Sequence, residues 1–231
     1  MLTQKKILAV ATNENPMLNG HRTGLWLSEL THFVDVVEAA GYVVDVVSPR
    51  GGAIPLDEGS SSESQMRDPA NARAMANPSF RETLRASRAC DAVAADDYAA
   101  IYLSGGHGTM WDFRQSASLR ALMGRMHEAG AWITGVCHGV SGFVDAADRT
   151  GRKLVEGRRV TGFSNLEDTL ARSKHAMPFL LEDALKASGA RYKKALVPFT
   201  RYVQLDGKLI TGQNPQSAKA VGQQLIAQLK A

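Results

Sequence analysis

Strand, helix and strand follow one another within residues 5–52, and that succession limits the fold more than any other feature of the chain. "KKILAVATN" is an apolar run that empties into a polar loop. "GLWLSELTHFVDVVEAAG" sets Leu25, Leu30, Phe33, Val37 and Ala40 at near-helical spacing and stops at Gly41. "YVVDVVSPRGG" is a second apolar run, closed by Pro49 and two glycines. A unit of this kind crosses over right-handedly and lays its two strands parallel. The alternation resumes with the strand and glycine-rich loop of "AAIYLSGGHGTMWDF", the helix "SLRALMGRMHEAG" and the strand "AWITGV". "GRKLVEGRRVTGFSNLEDTL" reads as an antiparallel hairpin or short strands entering a loop, and "MPFLLEDALKASGARY" as a helix stopped by Gly189. "YVQLDGKLITGQN" is a hairpin with Asp206-Gly207 at its turn, and "PQSAKAVGQQLIAQLK" a last helix with Pro215 near its first turn.

The expected fold is one α/β domain over residues 1–231, a doubly wound, mostly parallel sheet with helices on both faces. Residues 53–97 interrupt it. That stretch is polar, rich in Ser, Ala and Arg, and weakly helical after Pro69. It reads as an insertion, either a surface excursion or a small cap near the site.

At 231 residues the chain is long enough to bury a full core. Its 44% hydrophobic and 22% charged residues exclude wholesale disorder. The formal charge is +4, but the 27 basic residues are scattered among 23 acidic ones without a basic run interleaved by aromatics. Nucleic acid is therefore not an expected partner. The start, "MLTQKKILAVATNENP", has two lysines ahead of an apolar run, yet "ILAVA" is only about five residues against the ~7–15 of a secretory segment. No stretch approaches the ~20 apolar residues of a membrane span. The two cysteines, Cys90 and Cys137, read as thiols in a reducing compartment. A cytoplasmic protein without membrane contact is expected.

Chemistry concentrates where strands end, since open parallel sheets bind ligands beyond their carboxyl edges. Gly135-Val136-Cys137-His138-Gly139 has the small-x-nucleophile-x-small spacing of a nucleophile elbow, with Cys in place of Ser. The glycines permit a strained strand-to-helix turn, and the N-terminus of the following helix would favour thiolate over thiol. Cys90 lacks such surroundings and reads as structural. In "SGGHGTMWD", Gly105, Gly106 and His107 are candidates for oxyanion and substrate binding. The backbone N–H groups of Gly106 and His138 could converge on one point. His107 would either contact substrate or brace the loop. Neither GxxxxGK[ST] nor GxGxxG is present, which disfavours nucleotide binding. Glu29 is either a paired helix carboxylate or a group sharing a proton with Cys137. "ELTH" places His32 three residues after Glu29, but no HExxH or paired CxxC exists, and no metal site is expected.

These blocks, in this order, resemble the ThiJ/PfpI superfamily with its class I glutamine amidotransferase-like fold, over nearly the whole chain. "TGLWLSELTHFVDVVEAAGYVVDVVSPRGG" is similar to the family's opening block, "YLSGGHGTMWDF" to the second and "VCHGVSGF" to the nucleophile block. "VTGFSNLEDT" and "LITGQNPQSA" resemble the heat-shock-type, glutathione-independent glyoxalase (glyoxalase III) branch. The resemblance implies a flavodoxin-like sheet with a small inserted cap and a likeness to homodimers. It implies no metal or organic cofactor. Cys137 would be nucleophile, His138 its partner, Glu29 an acid/base group beside the thiol, and Asp168, or else Glu167, the carboxylate orienting His138. The activity implied is conversion of methylglyoxal or glyoxal and water to lactate or glycolate through a cysteine hemithioacetal. A stress-inducible holdase chaperone, a protein deglycase and a PfpI-type cysteine peptidase are the alternatives. A chaperone would need an exposed apolar patch, placed by the sequence before Asp97. A glutaminase is disfavoured, because "KHAM" around His175 lacks the downstream HPE-like motif. The branch commonly reads CHGP or CHGA where this chain has Val140, which is therefore expected to narrow the pocket.

Overall fold

The computed structural model describes residues 6–231. The first strand, β1 (Lys6–Val10), is buried from Ile7 to Val10, as a strand covered on both faces must be. Lys5, included in the expected strand, lies outside the described residues. A two-stranded ribbon, β2 (Met17–Leu18) with β3 (His21–Arg22), precedes helix α1 (Leu27–Ala39). Gly41, at φ +92°, ends the helix turn where a side chain would be strained. β4 (Val44–Ser48) then pairs parallel with β1.

Pro49 and the two glycines were expected to close this strand, but the chain stays in the sheet. β5 (Arg50–Gly52) turns back, with Gly51 and Gly52 at φ +73° and +79°, and runs antiparallel to β6 (Ser87–Ala89). Between them lie α2 (Glu63–Met66), which the sequence reading missed, α3 (Pro69–Ala76) and α4 (Pro78–Arg85). Asp68 caps α3 through the amides of Ala70 and Asn71, and Asn77 caps α4 through that of Ser79, each just before a first-turn proline.

β7 (Tyr98–Leu103), short α5 (Thr109–Asp112), α6 (Ala117–Glu128) and β8 (Trp132–Val136) continue the alternation. The segment "GRKLVEGRRV" does not form an antiparallel hairpin. Its strand β9 (Arg159–Val160) pairs parallel with β10 (Arg191–Tyr192), across α7 (Asn165–Leu170) and α8 (Leu181–Ala187). β11 (Val203–Asp206) and β12 (Leu209–Gly212) form the expected hairpin. Asp206 and Leu209 close it, and Gly207, at φ +59°, takes the first central position. Helix α9 (Ala218–Leu229) completes the chain.

The eight-stranded sheet has the order β11-β12-β8-β7-β1-β4-β6-β5, parallel from β12 to β6 with antiparallel edges. The expected doubly wound sheet is what forms. From β1 the chain winds outward through α1 to β4, then returns to the other side of β1 and winds the opposite way through β7, α6 and β8. Right-handed crossovers in opposite directions put α1 and α6 on opposite faces. The winding reverses between β1 and β7, so a crevice opens at their carboxyl ends. No helix among the described residues is long and apolar enough to cross a membrane.

Candidate active site

β8 delivers the chain to Cys137, whose φ of +54° is a left-handed conformation costing about 1–3 kcal/mol for a residue with a side chain. A 3-10 helix, Cys137–Phe143, follows, completing the expected strand-to-helix turn. The elbow lies hard against β7. A Cβ on Gly139 would stand 2.5 Å from the Leu103 carbonyl oxygen, and one on Gly135 2.9 Å from the Phe143 ring. Only glycine on both sides of Cys137 lets the turn approach so closely.

Glu29 enters from the other side of the crevice. The Trp26 amide donates to the Gly105 carbonyl at 3.1 Å, joining the start of α1 to the loop after β7. Tyr102 donates its hydroxyl to the Glu29 carbonyl at 2.7 Å while its ring stacks on Phe33 at 3.6 Å. The start of the 53–97 segment supports the same corner: Pro55 accepts from the Leu25 amide, and Ser60 Oγ from that of Leu27. Gly105 N–H donates to Glu29 Oε2 at 2.8 Å, and Oε1 has no hydrogen-bond partner. A Cβ on Gly105 would lie 2.4 Å from that Oε2 and 2.9 Å from Cys137 Cβ, so the acid and the thiol share the space that glycine leaves.

Burial pushes the Glu29 carboxyl up to about 8, against the pull of the Cys137 thiol and the Gly105 amide. Burial also pushes the Cys137 thiol well up, and the Glu29 carboxylate adds to the rise; the His138 backbone N–H opposes it. The thiolate expected from a helix N-terminus is thus not the resting form, because desolvation outweighs what one short 3-10 turn supplies. At neutral pH the pair rests as thiol and carboxylic acid.

His138 and the loop to α7 complete a series. His138 Nδ1 lies 3.6 Å from Cys137 Sγ, and its Nε2 lies 3.2 Å from Asp168 Oδ1. Ser173 Oγ also donates to Asp168 Oδ1, at 2.7 Å. Burial acts to raise the Asp168 carboxyl, but His138 and Ser173 outweigh it and hold it below the usual carboxylate range. A carboxylate on Nε2–H leaves Nδ1 free to take the thiol proton. Glu167, the other candidate, does not touch His138. It closes a capping box with Ser164 at the start of α7 and also binds Gln213, Asn214 and the Phe199 amide.

The remaining candidates divide. Gly106 and His107 line a cavity of about 180 Å³ together with Glu29, Cys137 and His138. Its walls are Trp26, Phe163, Ala171, Phe199, Pro215 and Gln216, none of which the sequence pattern assigns to a pocket. The Gly106 N–H has no backbone partner among the described residues, as an oxyanion donor requires. Gly105 is a correction: its N–H is taken by Glu29 and it does not line the cavity. Val140 is another. It is fully buried beneath Gly162 and lines no part of the pocket, so it cannot narrow it. Cys137 is left-handed, which turns its side chain out of step with the 3-10 helix it begins, and Val140 faces the core instead. No residue of 53–97 lines the cavity.

His107 packs its ring 4.5 Å from that of His138, and neither of its nitrogens has a partner. Burial, with His138 adding to it, pushes the imidazole down to about 3 and keeps it neutral. His107, His138 and Asp168 bring their donor atoms within 4.8 Å of one another, a cluster from three separated segments that no spacing motif could reveal. Both cysteines are free thiols, and Cys90 is fully buried away from the site, its thiol pushed up to about 12 by burial and by Asp112. Exposed large apolar residues among those described lie at Leu166 and Leu170 on α7 and at Leu196, Val197 and Phe199, with Met17 and Val43 elsewhere; none is in the 53–97 segment where a chaperone surface was expected.

Residues 23–228 match the DJ-1/PfpI family. The chain is 30% identical to the glutathione-independent glyoxalase HSP31 of Saccharomyces cerevisiae, over 99% of this chain and 100% of that protein. Among solved structures it is similar to the Rapid Encystment Protein of 24 kDa from Francisella tularensis, at 35% identity and a TM-score of 0.92, covering 98% of this chain and 99% of that one. It is also similar to glyoxalase III of Candida albicans, at 25% identity and a TM-score of 0.88, covering 96% of each chain.

Proposed function

The chain belongs to the DJ-1/PfpI family, and on that premise we propose that it is a glutathione-independent glyoxalase turning methylglyoxal or glyoxal, with water, into lactate or glycolate. The observation that carries this is Glu29, Cys137 and His138 lining a cavity sized for a small 2-oxoaldehyde, with Asp168 held behind His138.

His138 Nδ1 accepts the Cys137 proton as sulfur bonds to the aldehyde carbon, and Asp168 holds the imidazolium. The oxyanion meets the N–H groups of Gly106 and His138, then takes the proton back from imidazole to give the hemithioacetal. His138 next removes the hydrogen on that carbon and hands the proton to the neighbouring carbonyl oxygen, forming an enediol and returning to neutral imidazole. The neutral Glu29 acid protonates the neighbouring carbon, and its carboxylate takes up the hydroxyl proton from the sulfur-bearing carbon, so that a thioester forms and the acid is restored. Water cleaves the thioester, restoring the thiol and releasing the hydroxy acid. Atoms balance with one water consumed and no net redox partner. The chain is proposed to do this without a cofactor, as a homodimer in the cytoplasm, without nucleic-acid partners; two free thiols suit a reducing compartment.

The test is loss of methylglyoxal and appearance of lactate, without glutathione, from wild type and Cys137→Ala. Turnover falls to background in the variant; unchanged turnover would sink the reading. The apolar residues on α7 and on the 196–199 loop support holdase activity as a second reading. Aggregation suppression that persists in Cys137→Ala would favour it.

A further inference from the structure

We propose that His107, His138 and Asp168 form a binding site for a zinc-class divalent cation, and that filling it switches off the cysteine chemistry beside it. His107 is the observation that raises the question. Both its ring nitrogens are buried without a hydrogen bond, although it lines the cavity and so can be reached from solvent. Asp168 adds a second unpartnered atom, Oδ2. Buried polar atoms without partners are uncommon enough to need a reason.

The geometry gives one. Zinc binds imidazole nitrogen and carboxylate oxygen at about 2.0–2.2 Å, which sets the edges of a tetrahedron at roughly 3.3 Å. His138 Nε2 and Asp168 Oδ1 already stand 3.2 Å apart. One donor atom from each of the three residues lies within 4.8 Å of the others, leaving at most about 1.5 Å of closure for His107. The donors are two imidazoles and a carboxylate, a set that suits zinc and its late first-row neighbours and not magnesium or calcium. A fourth position would open to the cavity.

Occupancy would have a defined cost to the reaction. In the resting chain Nε2 of His138 carries its proton toward Asp168, and Nδ1 offers a lone pair to the thiol. A metal ion takes the Nε2 lone pair, so the imidazole proton moves to Nδ1, facing Cys137 Sγ at 3.6 Å. No proton is lost, but the base is now a donor and cannot accept from the thiol. Metal binding and turnover exclude each other.

The binding part stands without the glyoxalase reading; the inhibition part rests on it. Isothermal titration of tag-free protein with Zn²⁺ alone should find one site per chain. Both Cys137→Ser and His32→Ala, the latter at a surface pair with Asp68, should retain it. His107→Ala should weaken it by at least about tenfold, and His107→Gln likewise, with circular-dichroism melts showing that each variant is folded. Wild-type affinity in a folded His107 variant, or loss of the site in Cys137→Ser, overturns the assignment. Zn²⁺ should also inhibit wild type reversibly on chelation, and leave His107→Ala at its own metal-free rate. Binding without inhibition overturns the tautomer switch. Absence of any methylglyoxal turnover in metal-free wild type would instead overturn the glyoxalase reading and leave the binding result untouched.

Discussion

Two buried polar regions lie back to back across the start of α7, and they are built on opposite terms. On one side, Glu167 is saturated. Its Oε2 accepts from the Ser164 amide at 3.0 Å, Ser164 Oγ at 2.8 Å and Gln213 at 2.9 Å, and its Oε1 accepts from Asn214 at 2.9 Å and the Phe199 amide at 2.8 Å. On the other, Glu29 Oε1, Asp168 Oδ2 and both His107 nitrogens have no partner. Adjacent residues of one helix turn thus do different work. Full hydrogen bonding locks a loop in place, whereas unsatisfied groups keep interactions in reserve for a substrate.

The contrast is tested most severely at Asp168. Asp168→Asn should lower kcat by about 10²–10⁴-fold, because the amide no longer stabilises the imidazolium, while moving the melting temperature little. Near-wild-type turnover there would mean that His138 is not the base. Glu167→Ala should do the reverse. It leaves several buried donors without an acceptor, costing roughly 3–5 kcal/mol and on the order of 10 °C in Tm. A thermal melt of Glu167→Ala that matches wild type would show the saturated side to be dispensable.

Glu29→Gln sharpens the comparison through pH. The folded carboxyl titrates near 8 and the unfolded one near 4.5, so the unfolded chain ionises first as pH rises. Folding stability therefore falls from about pH 4.5 and levels off beyond 8. Asp112, raised by burial to about 7, contributes a decline of the same sign that the variant keeps. Glu29→Gln should flatten its own part of the slope, and denaturant titrations at pH 5 and pH 8 would measure it. Turnover in the variant should fall by about 10²–10⁴-fold, because the amide cannot supply the proton, and any residual rate should lack the fall above pH 8 that follows ionisation of the acid. Val140→Ala carries the smallest effect, about 1–2 kcal/mol of stability with an unchanged KM. A shifted KM would return that residue to the pocket.

How much of this was readable beforehand varies with the distance over which each residue is positioned. The βαβ start, the elbow glycines and the main alternation of strands and helices came from local patterning, which period and turn chemistry express directly. The elbow singles out Cys137 and His138 by pattern, whereas the role of Glu29, and of Asp168 beside Glu167, came only from the family resemblance. A local signal could have separated them: "SNLE" at 164–167 is a capping box, which commits Glu167 to the helix start and leaves Asp168 for His138. The β9–β10 pairing escaped because two-residue strands carry no periodicity. Val140 was assigned to the pocket from the branch's CHGP or CHGA pattern, which does not tell which face of the turn that residue takes; here it is buried and lines no part of the cavity. The pocket walls at Trp26, Phe163 and Phe199 are set by tertiary contacts such as the Phe199 amide on Glu167, and no short motif encodes those.

The crossing of two loops at Gly24–Trp26 and Gly105–Gly106 has a consequence for how such a scaffold can diversify. A Cβ on Gly106 would fall 2.2 Å from the Gly24 carbonyl oxygen and 2.4 Å from the Trp26 nitrogen, so main chain meets main chain there. Side-chain packing can be retuned by small exchanges, each compensating another, but a contact between backbones offers nothing to exchange. The floor of the cavity is in this sense closed to adaptation by point substitution. New substrate ranges would have to come from the rim, where Trp26, Ala171 and Phe199 present side chains that selection can resize.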